Sequence, residues 1–247
     1  MKSQKRAGGE KPILVSLTAA LIAASVGVLL AQNYPHAFPR EGTVMLFDNE
    51  RVTIWEVNWK NTGNVPPIHR HLYDMAGVYL RFGQVSVTGP EVPVVAHPKP
   101  GEPFDVPRPY YQPKGITHRE TPIGAPGDPE RLAIMVDLKD YPMPPFEVKP
   151  GMSTAWPRVG ARDVLDNARV VEWDYAWPAN KALPQHVHAR DSVEVFYEGG
   201  TLLTRMADGH EESKVVAFKS ARFVPKGQVD TEEATSGTPH AIVIEIK

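Results

Sequence analysis

The chain has 247 residues, an ordinary apolar fraction of 42% and a formal net charge of −2. It contains no long basic run, which argues against nucleic acid as a partner. The absence of cysteine excludes disulfide scaffolds, cysteine nucleophiles and lipid-modified cysteine. The 25 prolines favour strands joined by ordered loops over a helical protein.

Residues 1–31 have the layout of an export signal. Four basic residues lie within the first eleven positions, and an uncharged, largely apolar run follows over 12–31. This run is long enough to span a bilayer. The sequence therefore predicts either a signal peptide cleaved near Ala31 or a retained membrane-anchor helix. In both cases the positive-inside rule places the rest of the chain outside the cytoplasm, in the periplasm or beyond it.

An internal repeat organises the remaining sequence. The segment DNERVTIWEVNW, which starts at Asp48, matches DNARVVEWDYAW, which starts at Asp166. Three further pairs match in the same order: 66–83 with 183–200, 111–118 with 223–230, and 132–139 with 240–247. Four matches in register indicate one structural unit used twice. We predict two domains, 45–139 and 164–247, joined by a linker over 140–163.

The repeated segments are typical of β-strands. They are short, rich in Val, Ile, Tyr, Phe, Trp and Thr, and bounded by Gly, Pro, Asn and Asp. Many short strands with such turns indicate a sandwich or a barrel. The sequence thus predicts an all-β protein of two tandem barrels, preceded by an N-terminal signal or anchor helix.

Two H-x-H pairs occupy equivalent positions in the repeats, His69 with His71 and His186 with His188. Residues two apart in a strand point to the same face, so both imidazoles of a pair can face a barrel interior. Neutral imidazole is a common ligand for zinc, copper, iron and nickel. In the first copy, His118 follows a P-K-G turn and can supply a third ligand. The predicted metal site is His69, His71 and His118.

This pattern resembles the cupin superfamily, and the resemblance covers both copies. Besides the H-x-H pairs, the matching positions are Gly83, Pro113, Gly115 and His118 in the first copy and Gly200, Pro225 and Gly227 in the second. The resemblance implies that each copy is a small jelly-roll barrel and the whole chain a bicupin. It also implies a divalent metal ion (Fe, Mn, Zn, Ni or Cu), a small-molecule ligand or substrate, and a homodimer formed through barrel edges.

The family's glutamate ligand is missing from both copies. Its position falls on Met75 or Ala76 in the first copy and on Ser192 or Val193 in the second. The resemblance therefore leaves the first copy with three histidines and no carboxylate at the expected place. Such a site either holds a metal with open coordination positions or belongs to a barrel whose histidines only bond to each other and to water.

In each copy an aspartate comes just before the position where the family has its glutamate. Asp74 and Asp191 each follow the second histidine of the pair by three residues, an odd offset that points to the opposite strand face. We expect them to hydrogen-bond in the adjoining turn. In the second copy Asp230 replaces the third histidine, so His186, His188 and Asp230 form a weaker candidate site of the two-histidine, one-carboxylate kind. Alternatively, Asp230 lies outside the pocket.

Two functions fit these features. One is a metal-dependent small-molecule enzyme, an oxygenase or isomerase by resemblance to cupins. The other is a non-catalytic exported module that binds a metal or a ligand. The sequence identifies no catalytic acid or base; Tyr73, Tyr79, Arg119 and Glu120 are candidates only by their proximity in sequence to the histidines.

Overall fold

A computed structural model describes residues 33–90, 95–99, 101–142, 144 and 146–247. These residues form strands, turns and loops, with no helix among them. Accordingly, no helix in the described ranges is long and apolar enough to cross a membrane. The signal or anchor helix predicted within residues 1–31 lies outside the described residues.

The first copy forms nine strands: β1 Thr43–Asp48, β2 Val52–Trp59, β3 His69–Arg70, β4 Asp74–Arg81, β5 Val85–Thr88, β6 Val95–His97, β7 Arg108–Gln112, β8 Thr117–Pro122 and β9 Arg131–Leu138. Antiparallel pairing produces a five-stranded sheet, β1-β2-β9-β4-β7, and a four-stranded sheet, β3-β8-β5-β6. The barrel interior is filled by Trp55, Trp59, Met75, Tyr79 and Val85, which come from both sheets. This arrangement places β3 and β8, which carry the predicted histidines, side by side.

The second copy forms seven strands: β10 Arg162–Asp166, β11 Val170–Ala176, β12 His186–Val187, β13 Ser192–Met206, β14 Glu211–Val216, β15 Ala221–Val224 and β16 Val229–Ile246. Their order is β10-β11-β16-β13-β14, with β12 paired to β16 and β15 paired to β13. Register irregularities interrupt the β13–β16 ladder near Glu198 and Gly200. Such irregularities bend strands, which lets β13 and β16 each serve both layers of the barrel.

A third apolar core lies between the two barrels. The outer face of the five-stranded sheet of the first barrel packs against strands β11, β13 and β16 of the second, and both copies contribute buried side chains, among them Ile54, Val78, Ile134, Val195 and Ile244. Strands β4 and β9 are consequently buried along almost their whole length. Because of this shared core, Pro35–Lys247 forms one compact unit.

Two reciprocal ion pairs connect the barrels at the margin of this shared core. Arg51 Nε lies 2.7 Å from Asp191 Oδ2, and Arg169 Nε lies 2.9 Å from Asp74 Oδ2. Arg51 and Arg169 are the equivalent arginines of the D-N-x-R-V motif, and each contacts the aspartate of the other copy. The two barrels are therefore related by an approximate two-fold arrangement.

The same aspartates anchor the P-K-G turns of their own barrels. Asp74 Oδ1 accepts a hydrogen bond from the Lys114 backbone N–H at 3.0 Å, and Asp191 Oδ1 accepts one from Lys226 at 2.8 Å. The expected hydrogen bond in the adjoining turn is thus confirmed for both residues. Neither aspartate belongs to the groups of side chains that could hold a metal.

The motif glycine Gly83 is required by close backbone packing. A Cβ atom at this position would lie 2.2 Å from the Arg131 backbone nitrogen. We expect Gly83→Ala to lower the free energy of unfolding by about 3 kcal/mol, because backbone atoms cannot move aside at low cost. Thermal denaturation should show a fall in Tm of roughly 6–12 °C.

Gly199 provides a graded control for that prediction. A Cβ atom there would lie 3.0 Å from the Val216 carbonyl oxygen, a contact that a small shift can relieve. Gly199→Ala should therefore destabilise the protein less than Gly83→Ala. Equal Tm values for the two variants would contradict the packing argument.

Candidate metal centres

The first candidate centre lies inside the first barrel, where β3 and β8 pair. His69 on β3 is directly opposite His118 on β8. His71 follows β3, and Glu120 lies two residues beyond His118 on the same strand. Because side chains alternate along a strand, His118 and Glu120 point to the same face. The structure therefore brings the three predicted histidines together and adds a carboxylate.

The donor atoms of this group have the spacing of ligands around one ion. His71 Nε2 lies 3.1 Å from His118 Nε2, and His118 Nε2 lies 3.2 Å from Glu120 Oε1. The distance from His69 Nε2 to Glu120 Oε2 is 3.6 Å. Ligands bonded to one metal at about 2.1 Å are separated from their neighbours by about 3.0–3.4 Å. All four residues offer a ligand atom within 4.8 Å of one another.

Burial keeps two imidazoles of this centre in their metal-binding form. It lowers the pKa of His69 to about 4 and that of His71 to about 3. Both rings are therefore neutral near pH 7. His69 Nε2 is buried and has no hydrogen-bond partner among the described residues. A buried nitrogen facing the other donors in this way fits a metal ligand.

Arg40 adds a positive charge beside the carboxylate. Its Nη1 donates a hydrogen bond to Glu120 Oε2 at 2.9 Å and lies 3.4 Å from His69 Nδ1. The guanidinium is packed over the Trp59 ring at 5.8 Å. Burial raises the pKa of Glu120, but the Arg40 charge and the contact with His118 hold that pKa well below its ordinary value. Glu120 is consequently an ionised oxygen donor.

The second candidate centre consists of His186, His188 and Asp230 in the second barrel. His186 Nε2 lies 3.0 Å from Asp230 Oδ1, and His188 Nε2 lies 3.7 Å from Asp230 Oδ2. His186 Nδ1 lies 2.8 Å from the Pro184 carbonyl oxygen, which can fix the tautomer that leaves Nε2 free. Asp230 therefore faces the histidines, and the alternative position outside the pocket is wrong.

An arginine competes for the donors of the second centre. Arg158 Nη2 lies 3.1 Å from His186 Nε2 and 2.7 Å from Glu232 Oε2. Glu232 also accepts a hydrogen bond from Arg222, which pairs with Glu194 at 2.7 Å. A cation beside the metal-facing nitrogen opposes a second cation there. Arg40 likewise contacts Glu120 in the first barrel, but it lies beside Nδ1 of His69 and leaves Nε2 without a hydrogen bond. The geometry thus favours metal in the first barrel over the second.

The predicted sets of ligands omitted two acids and two arginines that the structure places at these centres. Glu120 and Glu232 each follow the third ligand position by two residues, a spacing that indicates a shared strand face. Arg40 and Arg158 come from the segments AFPREG and AWPRVG, which precede the two predicted barrels. Their shared pattern, alanine, aromatic, proline, arginine, any residue and glycine, extends the repeat upstream and could have indicated both arginines.

The remaining candidates for acid–base roles contact other groups. Tyr79 packs edge-on against Phe104 at 5.3 Å, inside the first barrel. Tyr73 packs edge-on against His36 at 5.5 Å. Arg119 lies between His118 and Glu120 in the sequence of β8, so its side chain leaves the strand on the other face. None of these contacts involves the three histidines.

Solved structures share this fold. AerE from Microcystis aeruginosa is 10% identical, with a TM-score of 0.58 over 87% of this chain and 98% of that chain. An oxalate decarboxylase is 9% identical, with a TM-score of 0.51 over 100% of this chain and 86% of that chain. A cupin 2 conserved barrel domain protein from Leptotrichia buccalis is 10% identical, with a TM-score of 0.49 over 83% and 88%.

No family model and no curated protein sequence matches the chain. At these identities, structural likeness describes the fold alone. Together with the doubled barrel, it defines the chain as an all-β protein with the bicupin fold, and the prediction of two tandem β-barrels is confirmed. Each barrel carries a group of histidine and carboxylate side chains that could hold a metal ion.

Proposed function

We propose that the first barrel holds one divalent metal ion through His69, His71, His118 and Glu120. The observation that carries this proposal is the convergence of three imidazoles, two of them buried, and one carboxylate at ligand spacing. Three nitrogens and one oxygen suit iron, manganese, zinc, nickel or copper. An ion with six coordination positions would keep two of them for a small molecule. The bound ion would act as a Lewis acid or as a redox centre.

We further propose that the protein acts on a small molecule as a metal-dependent oxygenase or isomerase. The chain's own residues would contribute a largely buried histidine cluster and the Arg40 cation at its edge. Arg40 can hold Glu120 in position and can face an anionic substrate group. Oxalate decarboxylase, which has a similar fold, is by name an enzyme acting on a small carboxylate.

A non-catalytic binding module is the second candidate. A cavity beside Arg40, lined also by Trp59 and Pro122, encloses only about 50 Å³. Ligand pockets for small molecules are commonly several times larger. So small a cavity next to the proposed centre favours a role in which the metal itself, or a very small ligand, is what the barrel binds.

The place of action we propose is outside the cytoplasm. Support comes from the basic residues before position 12 and from the apolar run over 12–31. Expression of the full chain in a bacterium, followed by fractionation, would test export. Finding the protein only in the cytoplasmic fraction would contradict it. The length of the product, measured by mass spectrometry, would separate a cleaved signal from a retained anchor.

Metal content and oxygen uptake test the main proposal. The purified chain should contain about one equivalent of a divalent metal, measured by elemental analysis. Oxygen consumption, or isomer formation, on a panel of small substrates would support the enzyme. Bound metal without turnover would favour the binding module. Absence of metal under all loading conditions would contradict both the enzyme and the metal-binding module.

Glu120→Gln should weaken metal binding roughly 100-fold, because an amide oxygen carries no charge to offset the cation. Competition with a chromophoric chelator would measure the change in Kd. The matched control is Glu232→Gln in the second barrel, which should leave the affinity of the first barrel unchanged. Equal Kd values for Glu120→Gln and the unmodified chain would show that Glu120 is not a ligand.

A further inference from the structure

The second barrel contains a larger cavity than the first. It encloses about 450 Å³ between the segment around Pro157 and the loop before β12. Apolar side chains form much of its wall, including Ala155, Pro157, Val159, Pro178 and Leu183. Arg158 and His186 also line it, so it reaches the second candidate centre. Its volume falls within the range of small-molecule sites.

Arg158 presents an unused donor in this region. Its side chain is only 7% exposed, and its Nε donates to the Ala155 carbonyl at 3.0 Å. Its Nη2 contacts Glu232 and His186. Its Nη1 is buried and has no hydrogen-bond partner among the described residues. A buried donor without a partner is costly, and a bound acceptor would remove that cost.

Arg158 shares its carboxylate partner with a second arginine. Glu232 is shared, because it accepts hydrogen bonds from both Arg158 and Arg222. The guanidinium of Arg158 is packed on the Trp156 ring at 4.2 Å, which holds it in place. Lys181 adds a further positive charge to the lining of the cavity. Guanidinium groups held in this way are suited to carboxylate recognition.

We propose that the second barrel binds a small monocarboxylate with an apolar body. The carboxylate pairs with the Arg158 guanidinium, which lines the cavity and needs only a small rotation to bring Nη1 to the ligand, and the apolar body fills the space between Val159, Pro178 and Leu183. This site is independent of the metal proposed for the first barrel. An inorganic anion would leave the apolar wall uncovered, and a metal cation would face the charge of Arg158.

The test uses straight-chain monocarboxylates of four to ten carbons and their primary amides. Saturation-transfer NMR detects weak binding, and tryptophan fluorescence reports it through Trp156. We expect at least one carboxylate to bind ten or more times as tightly as its amide. Arg158→Gln should reduce that affinity at least tenfold, because the charge-assisted hydrogen bonds are lost. Chelation of metals should not change it.

Two further variants separate loss of the site from loss of the fold. Ala182 is exposed at the cavity, so Ala182→Trp should block binding while Arg158 keeps all its contacts. Arg162 does not line this cavity and is 73% exposed, so Arg162→Gln should leave binding unchanged.

Three results would overturn the proposal. The first is that no carboxylate binds more tightly than its amide. The second is that Arg158→Gln and Ala182→Trp both bind carboxylate normally. The third is that chelation abolishes binding, which would assign it to a metal instead. Metal content in the first barrel is measured separately, so failure here leaves the proposed function standing.

Discussion

Replacing His71 with alanine should remove the bound metal from the first barrel, whereas the same change at His188 should leave it there. His71 Nε2 faces His118 Nε2 at 3.1 Å, so its loss leaves three of four donors. Zinc sites with four ligands bind with about 10–16 kcal/mol, so one ligand is worth roughly 3 kcal/mol, or about 100-fold in affinity. Elemental analysis after dialysis against a mild chelator would measure the loss.

The His188 variant controls for the cost of deleting a buried imidazole. His71 and His188 are the equivalent histidines of the two repeats, and each is 1% exposed. If deleting a buried imidazole destabilises a barrel in general, the two variants should therefore lose stability to a similar extent. Metal loss from His188→Ala alone would reverse the assignment and place the principal site in the second barrel. Near-UV circular dichroism would verify that both variants are folded.

Replacing Glu172 with isoleucine should stabilise the protein by at least about 2 kcal/mol near neutral pH. Glu172 is fully buried on β11, and neither carboxylate oxygen has a hydrogen-bond partner among the described residues. Its neighbours in the ladder are Leu165 and Ile244. The equivalent residue of the first copy is Ile54, which belongs to the shared core. The substitution therefore introduces a side chain that this position already accepts in the other repeat.

The stabilisation should depend on pH in a defined direction. Burial raises the pKa of Glu172 well above its ordinary value of 4.5. The folded state then holds a proton that the unfolded state has lost, so the stability of the unmodified chain falls as pH rises from 4.5 towards the raised pKa. Glu172→Ile lacks this dependence, so its advantage should be smallest in acid and should grow with pH.

Chemical denaturation at several pH values would measure this difference. Glu212→Ile is the matched control, because Glu212 is an exposed strand residue in the same barrel. It should change stability by less than about 0.5 kcal/mol, with no added pH dependence. A stability difference between Glu172→Ile and the unmodified chain that stays constant from pH 4 to pH 8 would contradict a buried, protonated carboxyl group.

The fold could be predicted because the repeat and the strand composition agree. Matched segments indicate two units whatever their fold, and β-branched and aromatic runs between turn residues indicate strands. The shared core between the barrels was harder to foresee. Strands buried on both faces lose the alternation of apolar and polar residues, as in LAIMVDL over 132–138. Such a run indicates burial but does not say which surface covers the second face.

The candidate site could be predicted in part. Strand geometry is enough to place His69 and His71 on one face, whereas the approach of His118 depends on β8 pairing with β3, a long-range contact that only the family resemblance indicated. Glu120 was not foreseen as a candidate ligand, because the resemblance directed attention to Met75 or Ala76. Its spacing of two residues from His118 on the same strand was the signal that could have indicated it. Glu172 is a carboxylic acid in an otherwise apolar core, so its burial could not be predicted from the apolar pattern of the strands.

The reciprocal pairs of Arg51 with Asp191 and Arg169 with Asp74 have a consequence for the origin of the chain. Each barrel offers the same patch to the other, which is the self-complementary interface of a two-fold symmetric dimer. Joining two such subunits in one polypeptide raises the effective concentration of each at the other. Within that symmetric frame the two copies differ at the third ligand position, which is His118 in one and Asp230 in the other.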